Sequence, residues 1–183
     1  MKPPFERAYW VEPGRLLAGP YPGEYERAHT ERNLRGLLEA GVRSVFSLMQ
    51  VREESADAEG RSSYVRLLEA AARQLGVNCE WRRFEIHDMS VPPESRMEEI
   101  LAAIADSLER GRPVYAHCWA GRGRTGTVVA AWLIERGLAT PDNFLDVIGE
   151  LRRDHPDPMP SPETPEQVEF VRRYARSRSR SSS

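Results

Sequence analysis

The chain has 183 residues, of which 40% are hydrophobic and 30% charged, with a formal net charge of −2. That length and balance suit one domain whose core closes without disulfides, a metal or a membrane, and they exclude disordered and collagen-like chains. The longest unbroken apolar run, 128–134, has 7 residues, against about 20 for a spanning helix, so no transmembrane helix is expected. The opening MKPPFERAYW places Glu6 and Arg7 where a signal peptide would carry its apolar centre, which makes a cytoplasmic location the expectation. Two cysteines, Cys79 and Cys118, are too few for a secreted disulfide scaffold. The charge is uneven: residues 172–183 hold five arginines and no acid, leaving 21 basic and 28 acidic residues in the rest. An acidic body does not suit a duplex-binding surface, so any nucleic-acid role would fall to the tail. The four histidines are scattered and form no ligand spacing, so neither a metal site nor a cofactor is expected.

The stretch 9–19 carries two short β-prone segments around Glu12, Pro13 and Gly14, the composition of a hairpin. From Thr30, a candidate N-cap, Leu34, Leu37, Leu38 and Val42 recur at helical spacing up to a stop at Gly41. VRSVFSLM at 42–49 reads as a buried strand, and the polar, acidic 52–60 as a loop. Tyr64, Leu67, Leu68 and Ala71 mark a second amphipathic helix ending at Gly76; 79–87 reads as a strand and 87–93 as a loop interrupted by Pro92 and Pro93. Met97, Ile100, Leu101, Ile104 and Leu108 give a third helix, before the short β-rich VYAH at 114–117. Three glycines between 121 and 126 then open onto the apolar run VVAAWLI. Thr140-Pro141 and Thr164-Pro165 each read as an N-cap followed by proline at the first helical position, the second with Gln167 at the capping-box position. Strands alternating with helices predict an α/β domain over 1–174, with a largely parallel central sheet and helices on both sides. The Arg/Ser-rich 175–183 is expected to be disordered when alone, a solubilising extension rather than an RNA-binding arm.

Strand, glycine-rich loop and helix together build an anion site. Cys118 falls at the end of the strand, and the glycines let the backbone of Trp119, Ala120, Gly121, Arg122, Gly123 and Arg124 curl so that N–H groups surround the sulfur. The following helix adds its positive end, and the Arg124 guanidinium can hold two phosphate oxygens in a planar fork. All three effects favour the thiolate, and a thiolate facing a phosphoryl group is a nucleophile in position. Thr125 can hydrogen-bond the sulfur as it leaves.

The run His117-Cys118-Trp119-Ala120-Gly121-Arg122-Gly123-Arg124-Thr125-Gly126 resembles the HC-x5-R-[ST]-G signature of the cysteine-based protein phosphatases. The likeness covers roughly residues 8–175, and the compact chain, with no counterpart of a tyrosine-recognition segment, is similar to the dual-specificity-like branch. The resemblance implies a phosphomonoesterase working through a phosphocysteine, with a phosphorylated protein or another phosphomonoester as substrate. It also implies an acid for the leaving oxygen about 30 residues upstream of the cysteine, which is where Asp88 stands, with Asp57 and Glu85 as weaker rivals. His117 is expected to hold the loop's shape through backbone hydrogen bonds, and Gln167 to cap its helix or to position the hydrolytic water. A phosphoinositide phosphatase remains an alternative, with Arg122 in place of the loop lysines found there; a binding module that captures phosphate without hydrolysis and a thiol redox protein are others. Cys79 lies nine residues before Asp88 along a strand, so it reads as a structural thiol rather than a partner for Cys118. No motif specifies an oligomeric state.

Overall fold

A computed structural model describes residues 1–53 and 63–181. The opening hairpin is β1 (Tyr9–Glu12) and β2 (Leu16–Gly19), turned by Gly14 at a φ of 71°. There follow α1 (Arg27–Glu39), β3 (Ser44–Ser47), a single 3-10 turn (Val51–Glu53), α2 (Val65–Gln74) and β4 (Glu80–Arg83). The chain continues with α3 (Glu94–Glu109), β5 (Val114–His117), α4 (Gly123–Glu135), α5 (Phe144–Leu151) and α6 (Pro165–Ser181).

The five strands lie in the order β1-β2-β5-β3-β4, with β1 antiparallel to β2 and every other pairing parallel. β5 is the centre, bonded to β2 on one side and β3 on the other. Successive side chains point to opposite faces of a strand, and the two core clusters divide accordingly. Val114 and Ala116 of β5 face opposite ways from Tyr115, as Leu16 and Ala18 of β2 do from Leu17. One face packs α1 and α2 through Leu34, Leu37, Leu38, Val65 and Leu68; the other packs α3 to α6 through Ile100, Ile104, Val129, Phe144 and Phe170. The all-apolar stretch of α4 reflects its place: every residue from Gly123 to Leu133 is buried.

Three boundaries depart from the sequence reading. α1 starts at Arg27, three residues before Thr30, whose hydroxyl instead accepts from the Glu24 N–H at 2.8 Å and so braces the preceding loop. The Thr140 cap closes a turn with Asn143, whose Oδ1 accepts from the Thr140 N–H at 2.7 Å, and α5 begins only at Phe144. The third concerns residues from 175, expected to be disordered when alone: here α6 runs on to Ser181, with Ser177 Oγ bonding Glu94 of α3 and Arg178 pairing with Glu98 at 3.3 Å.

The loop after β5 is shaped by close backbone approach. Gly121 has a φ of 73°, and a Cβ there would penetrate the backbone of Gly19 and Pro20 at the end of β2. Gly137 also has a positive φ, 68°, but open space around it. Gly121→Ala is therefore expected to lower stability by about 2–4 kcal/mol, conformational strain plus collision, against about 1 kcal/mol for Gly137→Ala. Urea unfolding of the two variants measures the difference.

Candidate active site

Ligands of open α/β sheets bind beyond the carboxyl ends of the parallel strands, and here the central strand β5 delivers His117 and then Cys118 to that edge. His117 is fully buried. Its Nε2 lies 2.6 Å from Tyr64 Oη, which accepts the Trp81 indole N–H at 2.9 Å, and its Nδ1 lies 3.3 Å from the Cys118 carbonyl. The neutral tautomer that satisfies this chain has Tyr64 donating to Nε2 and Nδ1–H donating to the carbonyl. Burial pushes the imidazole down to about 3, the bond to the Cys118 carbonyl opposes that, and the charges of Arg83 and Arg124 push the same way as burial.

Cys118 is buried as a free thiol. Behind it, α4 begins at Gly123, so Arg124 and Thr125 lie in its first turn. The Arg124 side chain is only 1% exposed, and its Nη atoms make three hydrogen bonds and one ion pair. Nη1 donates to Glu53 Oε2 at 2.6 Å and to the Ile86 carbonyl at 3.2 Å; Nη2 donates to Glu53 Oε1 at 2.7 Å and pairs with Asp88 Oδ1 at 2.9 Å. Burial works against the guanidinium charge, but the Glu53 bond and the surrounding negative charge hold its pKa above the usual value. Burial likewise raises the Glu53 carboxyl, and the bond from Arg124, the Gln50 N–H and the charges of Arg124 and Arg52 outweigh it, leaving the pKa below the ordinary carboxylate value. Thr125 Oγ1 is buried and has no hydrogen-bond partner among the described residues.

Asp88 is 65% exposed, on the loop between β4 and α3, just before Met89 at a φ of 57°. Of its rivals, Glu85 turns away to accept the Val51 N–H at 3.0 Å, and Asp57 lies outside the described residues. His87 faces Arg52 across 3.2 Å.

The rest of the loop is buttressed from the segment before α6. The Arg122 guanidinium is turned to Glu163 and to Asp157, and its carbonyl accepts from Ser161 Oγ at 2.9 Å. Gly126 packs against Ser161 and Pro162, leaving no room for a side chain. The Ala120 carbonyl accepts from Arg7 at 3.3 Å, while the Trp119 ring stands exposed. Gln167 caps α6 as its position suggests, its Oε1 accepting from the Glu163 and Thr164 N–H groups, and its Nε2 donates to the Ser90 carbonyl at 3.2 Å. Cys79 is a half-buried free thiol, raised to about 12 chiefly by burial. Among the described residues no three His, Cys, Asp or Glu side chains converge to hold a metal ion.

The sequence reading missed Glu53. The acidic run after β3 was its only signal, and nothing local distinguishes Glu53 from its neighbours, since its partner lies 71 residues away.

A profile of the family described as "Polymorphic toxin system, DSP-PTPase phosphatase" matches residues 22–138, more than half of the chain. The chain belongs to this family. Among solved structures, the phosphatase is similar to Tk-PTP in its active form, with 25% identity and a TM-score of 0.68 over 94% of this chain and 98% of that one. It shares the fold of PTPMT1 in complex with PI(5)P, with a TM-score of 0.70, 22% identity and coverage of 96% and 99%. An uncharacterized protein of Methanocaldococcus jannaschii is 34% identical over 93 residues, 51% of this chain, and the match spans 58% of that relative's length.

The buried neutral imidazole carries a pH signature. Unfolded His117 binds a proton below about 6.5, whereas the native ring titrates near 3, so the unfolded state holds more protons between those values. Stability therefore falls as pH drops through that window, by up to about 1.4 kcal/mol per pH unit from this residue. In His117→Asn the acid limb, followed by urea unfolding at stepped pH, is expected to be shallower.

Proposed function

We propose that this phosphatase hydrolyses phosphomonoesters through a phosphocysteine, with phosphorylated proteins, on tyrosine or on both tyrosine and serine/threonine, as its substrates. The observation that carries the reading is the Arg124 cage: a buried guanidinium at the helix start next to the Cys118 loop, with the Asp88 carboxylate ion-paired to Nη2 at 2.9 Å, where a phosphate oxygen would compete with it. A phosphoryl dianion competes better than one carboxylate for that fork, so binding displaces Asp88 and frees it for proton transfer.

In the first step the Cys118 thiolate attacks phosphorus. The S–P bond forms as the P–O bond breaks, and Asp88 gives its proton to the leaving oxygen. In the second step Asp88 takes a proton from water, whose oxygen attacks phosphorus. The S–P bond breaks, returning the thiolate, to which the Thr125 hydroxyl can donate, and inorganic phosphate departs. Gln167 is committed to its cap and to Ser90, which favours the structural of its two expected roles. The loop has no lysine, and Arg122 is engaged by Glu163 and Asp157; this supports a protein substrate over a polyphosphorylated lipid headgroup.

Cys118→Ser is expected to abolish turnover of a phosphotyrosine peptide while still binding tungstate; undiminished turnover would overturn the reading. Asp88→Asn is expected to reduce kcat by roughly 10²–10⁴-fold on alkyl phosphates and far less on p-nitrophenyl phosphate, whose leaving group needs no proton. An equal loss on both would remove Asp88 from the acid role.

A further inference from the structure

Gln167 is fully buried, although the capping box it completes at the start of α6 uses only one end of its amide. Its backbone N–H bonds Thr164 Oγ1 at 3.2 Å, and its Oε1 accepts from the Thr164 and Glu163 N–H groups at 3.2 and 2.9 Å. Glutamate and glutamine both offer that acceptor, and beside the positive end of a helix the carboxylate is the more stabilising of the two. What only glutamine supplies is a donor. Here Nε2 donates to the Ser90 carbonyl at 3.2 Å, across 77 positions of chain and two residues after Asp88.

The same amide lies against the phosphate loop. A Cβ placed on Gly123, the first residue of α4, would fall 3.0 Å from Nε2 and 3.2 Å from Oε1. Gln167 therefore touches both the stretch that carries the acid and the stretch that carries Arg124. The far end of α6 is joined to the acid side as well: α3 begins four residues after Ser90, and its Glu94 meets Ser177 and Arg173.

We propose that Gln167 is a positioning residue for the acid step, its Nε2 seating the Asp88 loop against the head of α4 so that Asp88 can reach the leaving oxygen. The inference rests on the phosphatase reading above, and it gives the glutamine a duty that neither capping nor orienting water supplies. A glutamate at this position would keep the cap, lose the donor and set one acceptor against another at Ser90.

The test is kcat/KM for a phosphotyrosine peptide and for p-nitrophenyl phosphate in wild type, Gln167→Glu and Gln167→Met, each alone and combined with Asp88→Asn, with melting curves to verify folding. The ratio of peptide to nitrophenyl ester is the readout, because a cap or an added charge alters both substrates alike, whereas only the tyrosine oxygen depends strongly on the acid. Gln167→Glu is expected to lower that ratio by roughly three- to tenfold, the worth of one hydrogen bond. Gln167→Met, which adds no charge, is expected to lower it similarly while melting earlier for want of the cap. In the Asp88→Asn background neither change is expected to lower the ratio further. An unchanged ratio in the single variants, or an equal drop without Asp88, would overturn the inference, as would failure of both variants to fold; each leaves the phosphatase reading standing. Absence of turnover of the peptide by wild type would overturn that reading and the inference with it.

Discussion

A guanidinium buried to within 1% of complete enclosure has to be surrounded by acceptors or it would not be buried at all. In this fold that requirement organises three separated stretches of chain. The 3-10 turn after β3 supplies both carboxylate oxygens of Glu53, the end of the β4 strand region supplies the Ile86 carbonyl, and the following loop supplies Asp88. The central sheet is what brings them together: β3 and β5 are hydrogen-bonded neighbours, β4 lies outside β3, and all three run the same way. Their carboxyl ends therefore open on one edge. Arg124 at the start of α4 is fixed from behind by a helix whose residues from Gly123 to Leu133 are all buried.

In the proposed reaction the cage divides the work between its carboxylates. Glu53 is half-sheltered and grips both Nη atoms, so it aims the fork; Asp88 is exposed and touches one, so it can leave. Two acids of similar intrinsic strength acquire different duties from their distance to solvent. Arg122, two residues earlier, shows the opposite use of the same side chain. Its guanidinium is tied to Glu163 and Asp157, clamping the loop to the segment before α6.

What the sequence made legible was local. The β5–loop–α4 unit, the hairpin, the capping box at Thr164 and Gln167 and the alternation of strands and helices all follow from spacing within a dozen residues, and the structure has each of them. Asp88 was found through a family pattern, and the geometry brings it to Arg124. Glu53 escaped because its meaning lies in a contact across 71 positions. The Arg/Ser composition beyond residue 175 says nothing of Glu94 and Glu98 of α3, which lie alongside Ser177 and Arg178 of α6 from a distant part of the chain. Thr30 was read as a cap because hydroxyl residues usually serve there; a competing acceptor role for the Glu24 N–H prevailed.

The bond from Gln167 Nε2 to the Ser90 carbonyl has a mechanical meaning. Two residues after Asp88 the loop is moored to the first turn of α6, and between them stands Met89, a residue with a side chain held at a φ of 57°, a conformation that costs energy outside glycine. On the other side, β4 ends in the sheet. The Asp88 segment is therefore tied on both sides, to the sheet and to α6, so in the proposed reaction its carboxylate is expected to leave Arg124 by side-chain rotation near Met89 and not with the whole loop.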